Sequence, residues 1–524
     1  MNQYNICLLS IGGSSIPYGN IFNDSKKYGN FNIEYLLSFL ESKNIYSTIL
    51  YCNFSDSPET IEKQLIYFDV IIVFVDYLNN DKIISIFNIL KNNNAKLITV
   101  GFGTYVDNNY KELIETNSFN FLCLGNPMIS IYEMLVNDFS MKLAYKNSYI
   151  VSKNNFENKK KDSFYLSNII PSYNYYLLNN INKRYKTYIL STRNNVCFGR
   201  CTFCLSKNGK YLYKSSEVVL AEIKQLVAIG IKDFLINDND FFEIWEDEDN
   251  KKRIIDIFTG LLEIKEKITI SCFAKSRTIN LIEDKFLLLF KKAGLFCIFV
   301  GVDAGNDDDK IIYNKGSSLI DDKIALMKLK NLNIFARIGF IMLNPFSSLK
   351  SLKENYYFLT QIKSLNIYQY GKLKLLMFKG TEIYDKIKEN KLIINEGKNV
   401  YDYSYLNKNI VEIVKFLDFF FDKLDSNSKY YPFISFKRIY EEAKFLSPTI
   451  MKRYYKEVKQ LESEEFEDIK NFFYYIYEKN DLSQAFFLMN NFIEKICIRS
   501  ERCKRLSNKF EEIIREAKYH GISA

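Results

Sequence analysis

The sequence predicts an α/β protein with an N-terminal doubly wound, Rossmann-like parallel sheet, a central partial (β/α)6 barrel and a helical C-terminal domain. Short β-branched runs alternate with amphipathic stretches over residues 1–140, and a second alternating series occupies residues 186–393. A polar segment, 141–185, connects the two series, and residues 394–524 contain only long helical stretches. Alternating strand and helix periods are typical of parallel sheets that are covered by helices.

The first series predicts a binding edge as well as a sheet. Its strand-like runs are 4–10, 47–51, 69–75 and 96–101, and its helical stretches are 32–41, 58–66 and 82–91. Glycines follow the candidate strands at Gly12, Gly13, Gly101, Gly103 and Gly125. Because ligands of doubly wound sheets bind at the carboxyl ends of the strands, we expect these glycines to lie at a cofactor-binding edge.

The second series predicts six strand-helix units followed by helices. The strand candidates are 187–191, 233–237, 269–274, 297–303, 336–343 and 368–376, and the C-terminal helical stretches are 409–424, 436–446, 451–468 and 482–518. Six successive units favour a second parallel sheet in the form of a partial barrel. Aromatic runs in the C-terminal helices could contact a substrate, although at helical spacing such residues usually form core.

Composition excludes several classes of function. The 524 residues include 47% apolar residues, which excludes a disordered chain, and one histidine, His520. A lone histidine near the C-terminus excludes Ser-His-Asp and Cys-His nucleophile pairs and multi-histidine zinc sites. The net charge of +9 is spread along the chain without one arginine-rich patch, so we do not expect a nucleic-acid partner. General acid–base work would then need Asp, Glu, Tyr, Lys or Cys, and the sequence assigns none of them.

The cysteine content and the N-terminus indicate the compartment. Ten cysteines in a chain of this length do not form a disulfide framework, and the first residues lack the features of a signal peptide. No apolar stretch reaches the ~20 residues that a membrane span requires. We therefore expect a cytoplasmic protein with reduced thiols and no membrane segment.

The segment CFGRCTFC is the most informative motif. It places Cys197, Cys201 and Cys204 on one short loop after the first strand of the second series. Three thiolates suit an iron–sulfur cluster, and a four-iron cluster held by three cysteines keeps one iron open for a substrate or cosubstrate. A zinc site normally has four ligands, and Cys272 could supply the fourth from a neighbouring strand.

This CxxxCxxC spacing, with Phe203 before the last cysteine, resembles the signature of the radical S-adenosylmethionine (SAM) superfamily. The resemblance implies a four-iron four-sulfur cluster and SAM as cofactors. INDNDFFE resembles the end of the second strand of that family, where polar residues hold the amino group of SAM, so Asp238 and Asp240 are candidates. The alternative is an Asp/Asn turn that closes the strand.

Further segments resemble later strands of the same family. GVDAG resembles the fourth-strand segment that usually ends in Glu-Ser-Gly, with Asp303 at the position of the glutamate. AKSRTI and ARIGFIMLNP place Arg277 and Arg337 at the ends of the third and fifth strands. Either arginine could pair with the SAM carboxylate, or both could be surface ion-pair partners.

The N-terminal domain resembles the cobalamin-binding domain that precedes one large radical SAM class. The matching features are the Pro17-x-Gly19 turn before Tyr35-Leu36-Leu37, the strand 69–75, GFGTY at 101–105 and CLGNP at 123–127. Asn126 and Pro127 depart from the usual Gly-Glu-Gly-Glu. The resemblance implies cobalamin, and the alternative is a structural relic without a cofactor. Since this domain contains no histidine, we predict a His-off cobalt with Asp76, Tyr77 or Leu78 facing its lower side.

The resemblance implies methylation of an unactivated atom in a peptide or small secondary-metabolite precursor, with flavodoxin or ferredoxin as electron donor. Members of the class also catalyse rearrangements, cyclisations and crosslinks without net methylation. From a different class of function, an iron–sulfur electron-transfer or binding protein is the other alternative.

Overall fold

The computed structural model describes residues 4–12, 31–53, 55–76, 79–125, 127–157, 187–194, 196–206, 211–395 and 400–520. The chain divides into two compact units. The first comprises Met1–Val196 and Asn208–Asp238, and the second comprises Cys197–Lys207 and Asn239–Ala524. The cysteine loop and the segment after Asp238 therefore belong to the second unit.

The first unit contains a six-stranded sheet in the order β2-β1-β3-β4-β5-β6. The strands are β1 (Ile6–Gly12), β2 (Thr48–Asn53), β3 (Val70–Phe74), β4 (Ile98–Phe102), β5 (Phe121–Cys123) and β6 (Ile150–Val151). Strands β1 to β5 are parallel, and β6 is antiparallel to β5. The predicted doubly wound sheet is confirmed.

Helices cover both faces of this sheet because its strands are apolar on both sides. The helices are Phe31–Ser42, Pro58–Leu65, Asn80–Asn93, Thr104–Glu115, Pro127–Val136 and Met141–Lys146. Along β1, Cys7 and Leu9 lie in one hydrophobic core, while Ile6 and Leu8 lie in the other. Successive side chains of a strand point to opposite faces, so one continuous apolar run fills two cores.

The second strand series also follows the predicted alternation. In the first unit, β7 (Thr187–Leu190) pairs in parallel with β8 (Asp233–Ile236) around the helix Ser216–Ala228. In the second unit, β9 (Thr269–Lys275), β10 (Leu295–Asp303) and β11 (Phe335–Phe340) are parallel, with β10 in the middle. The intervening helices are Glu248–Leu261, Ser276–Leu281, Asp284–Lys292, Asp307–Ile312, Leu319–Asn331 and Leu349–Gln361.

The sixth predicted strand, 368–376, differs from the prediction. It begins in the 3-10 turn Ile367–Tyr370, and Lys374 forms a single parallel bridge with Leu343. Tyr368 donates its hydroxyl hydrogen to Asp425 at 2.9 Å, and Lys372 also binds Asp425. These bonds draw the segment toward the helix Lys408–Asp425, so a tertiary contact interrupts the apolar run.

The C-terminal region is helical, as predicted. Its helices are Lys408–Asp425, Phe433–Leu446, Pro448–Met451, Tyr455–Tyr477 and Leu482–Arg515, and a further helix, Glu382–Glu389, precedes the predicted boundary at residue 394. The aromatic runs are mainly core: Phe472 stacks on Phe492 with ring centroids 4.2 Å apart, and Phe420 lies 5.0 Å from Phe472. Within the described part of the chain, no helix is both long enough and apolar enough to cross a membrane.

Candidate cofactor site

The three motif cysteines lie on an irregular loop, 197–206, of the second unit. Cys197 is buried, and Cys201 and Cys204 are half-buried. Between them, the Thr202 amide donates to the carbonyl of Tyr313 at 2.9 Å, and its hydroxyl donates to the carbonyl of Ile312 at 2.8 Å. The amide of Ile383 donates to the Thr202 carbonyl at 3.0 Å. Backbone contacts from two distant segments therefore hold the loop.

An ion pair lies against the first cysteine. Lys275 Nζ is 2.5 Å from Glu243 Oε1, and the same oxygen accepts the Phe198 amide at 3.0 Å and lies 3.4 Å from Cys197 Sγ. Burial raises the pKa of Cys197, and Lys275 opposes that rise. Burial alone would lower the pKa of Lys275, but Asp240, Cys197 and Glu243 outweigh it and raise this pKa. The ammonium form is thus favoured next to Cys197.

A second ion pair lies near the second cysteine. Lys315 binds Asp303, and both side chains are nearly buried, with 8% and 12% of their surfaces exposed. Burial raises the pKa of Cys201, with Lys315 opposing the rise. Lys315 itself has a raised pKa because Asp303 and Cys201 outweigh its own burial. Each of these two thiols therefore has its own cation.

This donor set fits an iron–sulfur cluster. Three soft sulfur ligands from one loop suit iron, and two nearby ammonium groups balance the negative charge of thiolates. Across the described residues, no group of three or more His, Cys, Asp or Glu side chains could hold one metal ion. A cluster distributes its ligands over several metal atoms, so it does not require such a group. Cys272, the candidate fourth zinc ligand, is buried in β9.

The predicted carboxylates Asp238 and Asp240 are both buried and both bound to a threonine. Asp238, in the first unit, accepts the Thr192 amide at 2.9 Å and its hydroxyl at 2.5 Å. Asp240, in the second unit, accepts the hydroxyl of Thr278 at 2.7 Å. The bonds hold both carboxylates in place after β8, and their role toward SAM stays a prediction.

Asp303 ends β10 in an unusual backbone conformation. Its φ is 64°, in the left-handed region, and its carbonyl accepts the amide of Ile341 at 2.9 Å. The Lys315 ammonium lies so near Gly301 that a Cβ atom there would be 3.0 Å from Nζ. The GVDAG segment thus aims its carboxylate at Lys315, and contact of Asp303 with SAM stays a prediction.

The two arginines predicted to bind the SAM carboxylate lie differently. Arg277 is exposed. The pKa of Asp321 is lowered chiefly by hydrogen bonds from Ser318, and the charge of Arg277 adds to this effect. Arg337 lies over the ring of Phe299, with its guanidinium carbon 4.4 Å from the centroid. Their role toward SAM also stays a prediction.

Sequence reasoning missed Lys275 and Lys315, the cations that act on the cysteines. One signal was available, because Lys275 is the last residue of β9 and the carboxyl ends of parallel strands meet at one edge. Lys315 follows the helix Asp307–Ile312, and only the fold returns it to Asp303.

In the first unit, the described glycines among the predicted ones lie at or near strand ends, and close packing leaves no room for a side chain at Gly101 and Gly103. Gly12 ends β1. A Cβ at Gly101 would lie 2.8 Å from Leu122 and Phe119 side-chain atoms, and one at Gly103, whose φ is 121°, would lie 2.7 Å from the Val75 carbonyl oxygen. The Gly125 amide donates to Asp107 at 2.8 Å.

The segment after β3 is held by a reciprocal pair of hydrogen bonds. The amide of Asp76 donates to Asn79 Oδ1, and the amide of Asn79 donates to Asp76 Oδ1, both at 2.9 Å. Asn79 Nδ2 also donates to the carbonyl of Ile11 at 3.1 Å. These bonds connect the carboxyl ends of β1 and β3. The other predicted positions, Gly13, Pro17, Gly19, Tyr77, Leu78, Asn126 and the side chain of Tyr35, lie outside the described residues.

Comparisons with known proteins agree with this arrangement. Residues 192–356 match the sequence profile of the Radical SAM superfamily. The 4'-phospho-dehydrooxetanocin synthase of Priestia megaterium is 26% identical over 292 residues, which is 52% of this chain. The chain matches only 39% of the length of that curated relative.

Two solved structures share the fold. The cobalamin-dependent SAM radical enzyme OxsB, with aqua-cobalamin and SAM bound, matches with a TM-score of 0.68 and 18% identity over 100% of this chain and 82% of that chain. The radical SAM methyltransferase TsrM from Kitasatospora setae, with tryptophan and a SAM analogue bound, matches with a TM-score of 0.57 and 13% identity over 74% and 76%. Residues 192–356 of this chain are therefore a radical SAM domain, which implies a four-iron four-sulfur cluster and SAM as its cofactors.

Proposed function

We propose that this chain is a cobalamin-dependent radical SAM enzyme that methylates an unactivated atom of a small secondary-metabolite or peptide precursor. The cysteine loop carries the proposal. Three thiols lie on one loop that distant backbone segments anchor, and a lysine is placed near Cys197 and another near Cys201. Such a set is suited to a cluster with one open iron.

The cluster would be held by Cys197, Cys201 and Cys204, and when bound it supplies the electron that cleaves SAM. The chain's own side chains would bind and orient SAM. The buried carboxylates Asp238, Asp240 and Asp303 are suited to the cationic ammonium and sulfonium of SAM, since charge-assisted contacts are strong when water is excluded. Arg277 and Arg337 are the proposed partners of the SAM carboxylate.

Cobalamin is proposed for the first unit, where it would supply the transferred methyl group. Two observations support the proposal: the tightly packed glycines Gly101 and Gly103 at the end of β4, and the likeness of the whole chain to OxsB, whose structure holds aqua-cobalamin. Because His520 is the one histidine of the sequence, the lower face of the cobalt would not receive an imidazole from this unit. Of the residues predicted to face that side, Asp76 is described, and it is the proposed neighbour of the lower face.

A reaction without methyl transfer is the second candidate. It is supported by the sequence relative, whose name is that of a synthase of a phosphorylated dehydrooxetanocin. Methyl transfer is supported by the fold shared with TsrM, a methyltransferase. Once a substrate is known, SAM with a deuterated methyl group separates the two, because only methyl transfer carries the label into the product.

The first test is the metal content of protein purified without oxygen from cells supplied with a corrinoid. We expect about four irons per chain, as a single cluster of this type requires, and one cobalt. Iron without cobalt would contradict the cobalamin proposal and leave the radical SAM proposal standing.

The second test separates an enzyme from an electron carrier. Holoprotein reduced with dithionite in the presence of SAM is expected to form 5′-deoxyadenosine, and the Cys201→Ala variant is expected to form none. If cluster-loaded protein forms no 5′-deoxyadenosine, an iron–sulfur electron carrier becomes the better proposal.

A further inference from the structure

One carboxylate oxygen organises the surroundings of Cys197. Glu243 Oε1 is reached by the Lys275 ammonium at 2.5 Å, by the Phe198 amide at 3.0 Å and by Cys197 Sγ at 3.4 Å. The Gly199 amide in turn donates to Cys197 Sγ at 3.3 Å. The turn 197–199 is therefore attached to the end of β9 through Glu243.

The charges of this pair are poorly screened by water. The side chain of Glu243 is 5% exposed and that of Lys275 is 26% exposed. A Cβ at Gly199 would lie 3.2 Å from both Cys197 Sγ and Lys275 Nζ, so the absence of a side chain at Gly199 leaves room for the ammonium beside the sulfur. Charges this close act strongly where the surrounding dielectric constant is low.

We propose that Lys275 and Glu243 are a positioning pair that sets the reduction potential of the cluster through the charge balance around Cys197. Lys275 offsets the negative charge of the Cys197 thiolate, and Glu243 holds both the lysine and the ligand turn. The inference rests on the proposed cluster, and it adds a role for two residues that the CxxxCxxC motif does not contain.

Removing the cation and removing the anion of this pair are expected to shift the reduction potential in opposite directions. Reduction adds one electron to the cluster, so removal of a nearby cation disfavours the reduced form and lowers the potential. Removal of a nearby anion has the reverse effect. Lys275→Met is therefore expected to lower the potential, and Glu243→Gln, which keeps an oxygen for the Phe198 amide, is expected to raise it.

The experiment uses the full chain with its cluster reconstituted anaerobically, without substrate. Iron per chain is measured first, and the potential then follows from a dithionite titration monitored by electron paramagnetic resonance. Lys275→Arg keeps the charge and is expected to stay near the wild-type potential. The matched control is Lys291→Met. Lys291 is also half-buried, but it lies on the helix Asp284–Lys292, which precedes the amino end of β10, and it donates to the Leu332 carbonyl at 2.9 Å. This variant is expected to keep the iron content and the reduction potential of the wild type.

The outcomes distinguish failure of the proposed role of Lys275 and Glu243 from failure of the proposed cluster. Loss of iron in Lys275→Met but not in Lys275→Arg would support charge balance at Cys197. An unchanged potential in iron-loaded Lys275→Met and Glu243→Gln, or a shift of both in the same direction, would overturn the role of the pair alone. Wild-type protein that holds no iron would overturn the proposed function itself.

Discussion

Arg499 binds Glu465 between the helices Tyr455–Tyr477 and Leu482–Arg515, with Nη1 2.6 Å from Oε2. Both side chains are buried, at 7% and 3% exposure, and the same guanidinium also binds Asp468. One cation is thus shared between a buried carboxylate, Glu465, and a partly exposed one, Asp468, whose side chain is 19% exposed. Burial raises the pKa of Glu465 to about 7, and Arg499 only partly opposes the rise.

This pair predicts a pH dependence of stability. A carboxyl whose pKa is higher in the folded than in the unfolded chain stabilises the fold below its ordinary pKa, and that contribution is lost as the pH rises through about 7. The contribution of Glu465 is about 3 kcal/mol at most. Thermal unfolding of the wild type and of Glu465→Gln, followed from about pH 5 to about pH 8, measures it. The wild type is expected to lose stability relative to the variant as the pH rises, and a constant difference would contradict the prediction.

The cluster ligands predict a selective loss of iron. Cys201→Ala is expected to abolish iron binding, since a cluster held by three thiolates has no spare ligand. Cys272→Ala is the control, because Cys272 is buried in β9. The iron content of both variants is measured after anaerobic reconstitution, and Cys272→Ala is expected to keep its iron. Loss of metal from Cys272→Ala would assign Cys272 as a fourth ligand.

The Lys315–Asp303 pair predicts non-additive effects on stability. Asp303→Asn leaves a buried ammonium without its carboxylate, which costs about 3–5 kcal/mol. Lys315→Met leaves the carboxylate alone, with a similar cost. The double variant is expected to lose less than the sum of the two single variants in urea unfolding. Simple additivity would show that the pair contributes no coupling energy.

The turn after β4 predicts that Gly103 does not tolerate a side chain. Gly103→Ala combines a positive φ of 121° with a Cβ 2.7 Å from the Val75 carbonyl oxygen. Gly230→Ala is a matched control, because its φ is 95° and nothing lies within 4 Å of the added atom. Backbone strain alone costs about 1–3 kcal/mol, and the clash adds to it at Gly103. Equal losses in the two variants would show that the Val75 contact is not limiting.

The periodicity of the sequence was sufficient to predict the fold class. Continuous apolar runs such as Val70–Phe74 fill two cores at once and are recognisable from a short window of residues. The sixth strand was not predictable in this way, because Asp425, far along the chain, binds Tyr368 and Lys372. A tertiary contact of this kind leaves no local pattern.

The candidate site also contains residues that the sequence predicts and residues that it does not. The cysteines could be predicted because all three lie within one short loop, and their spacing alone indicates a cluster. Lys275 had one signal, its place at the carboxyl end of β9. Lys315 had none, since it follows the helix Asp307–Ile312 and is separated from Cys201 by a long stretch of chain. The partners of Glu243 were not predicted either, because Lys275 and Phe198 are far from it in the sequence.

Thr202, between two of the cysteines, depends on Tyr313 and Ile383 for its backbone partners. During synthesis the thiols of the loop therefore leave the ribosome long before the segments that anchor them. Elongation at ~5–20 residues per second makes this delay on the order of ten seconds or more. Over that interval the loop lacks the backbone partners that hold it in the folded chain. Reducing conditions during synthesis, as well as during activity, would therefore keep its three thiols available for the cluster.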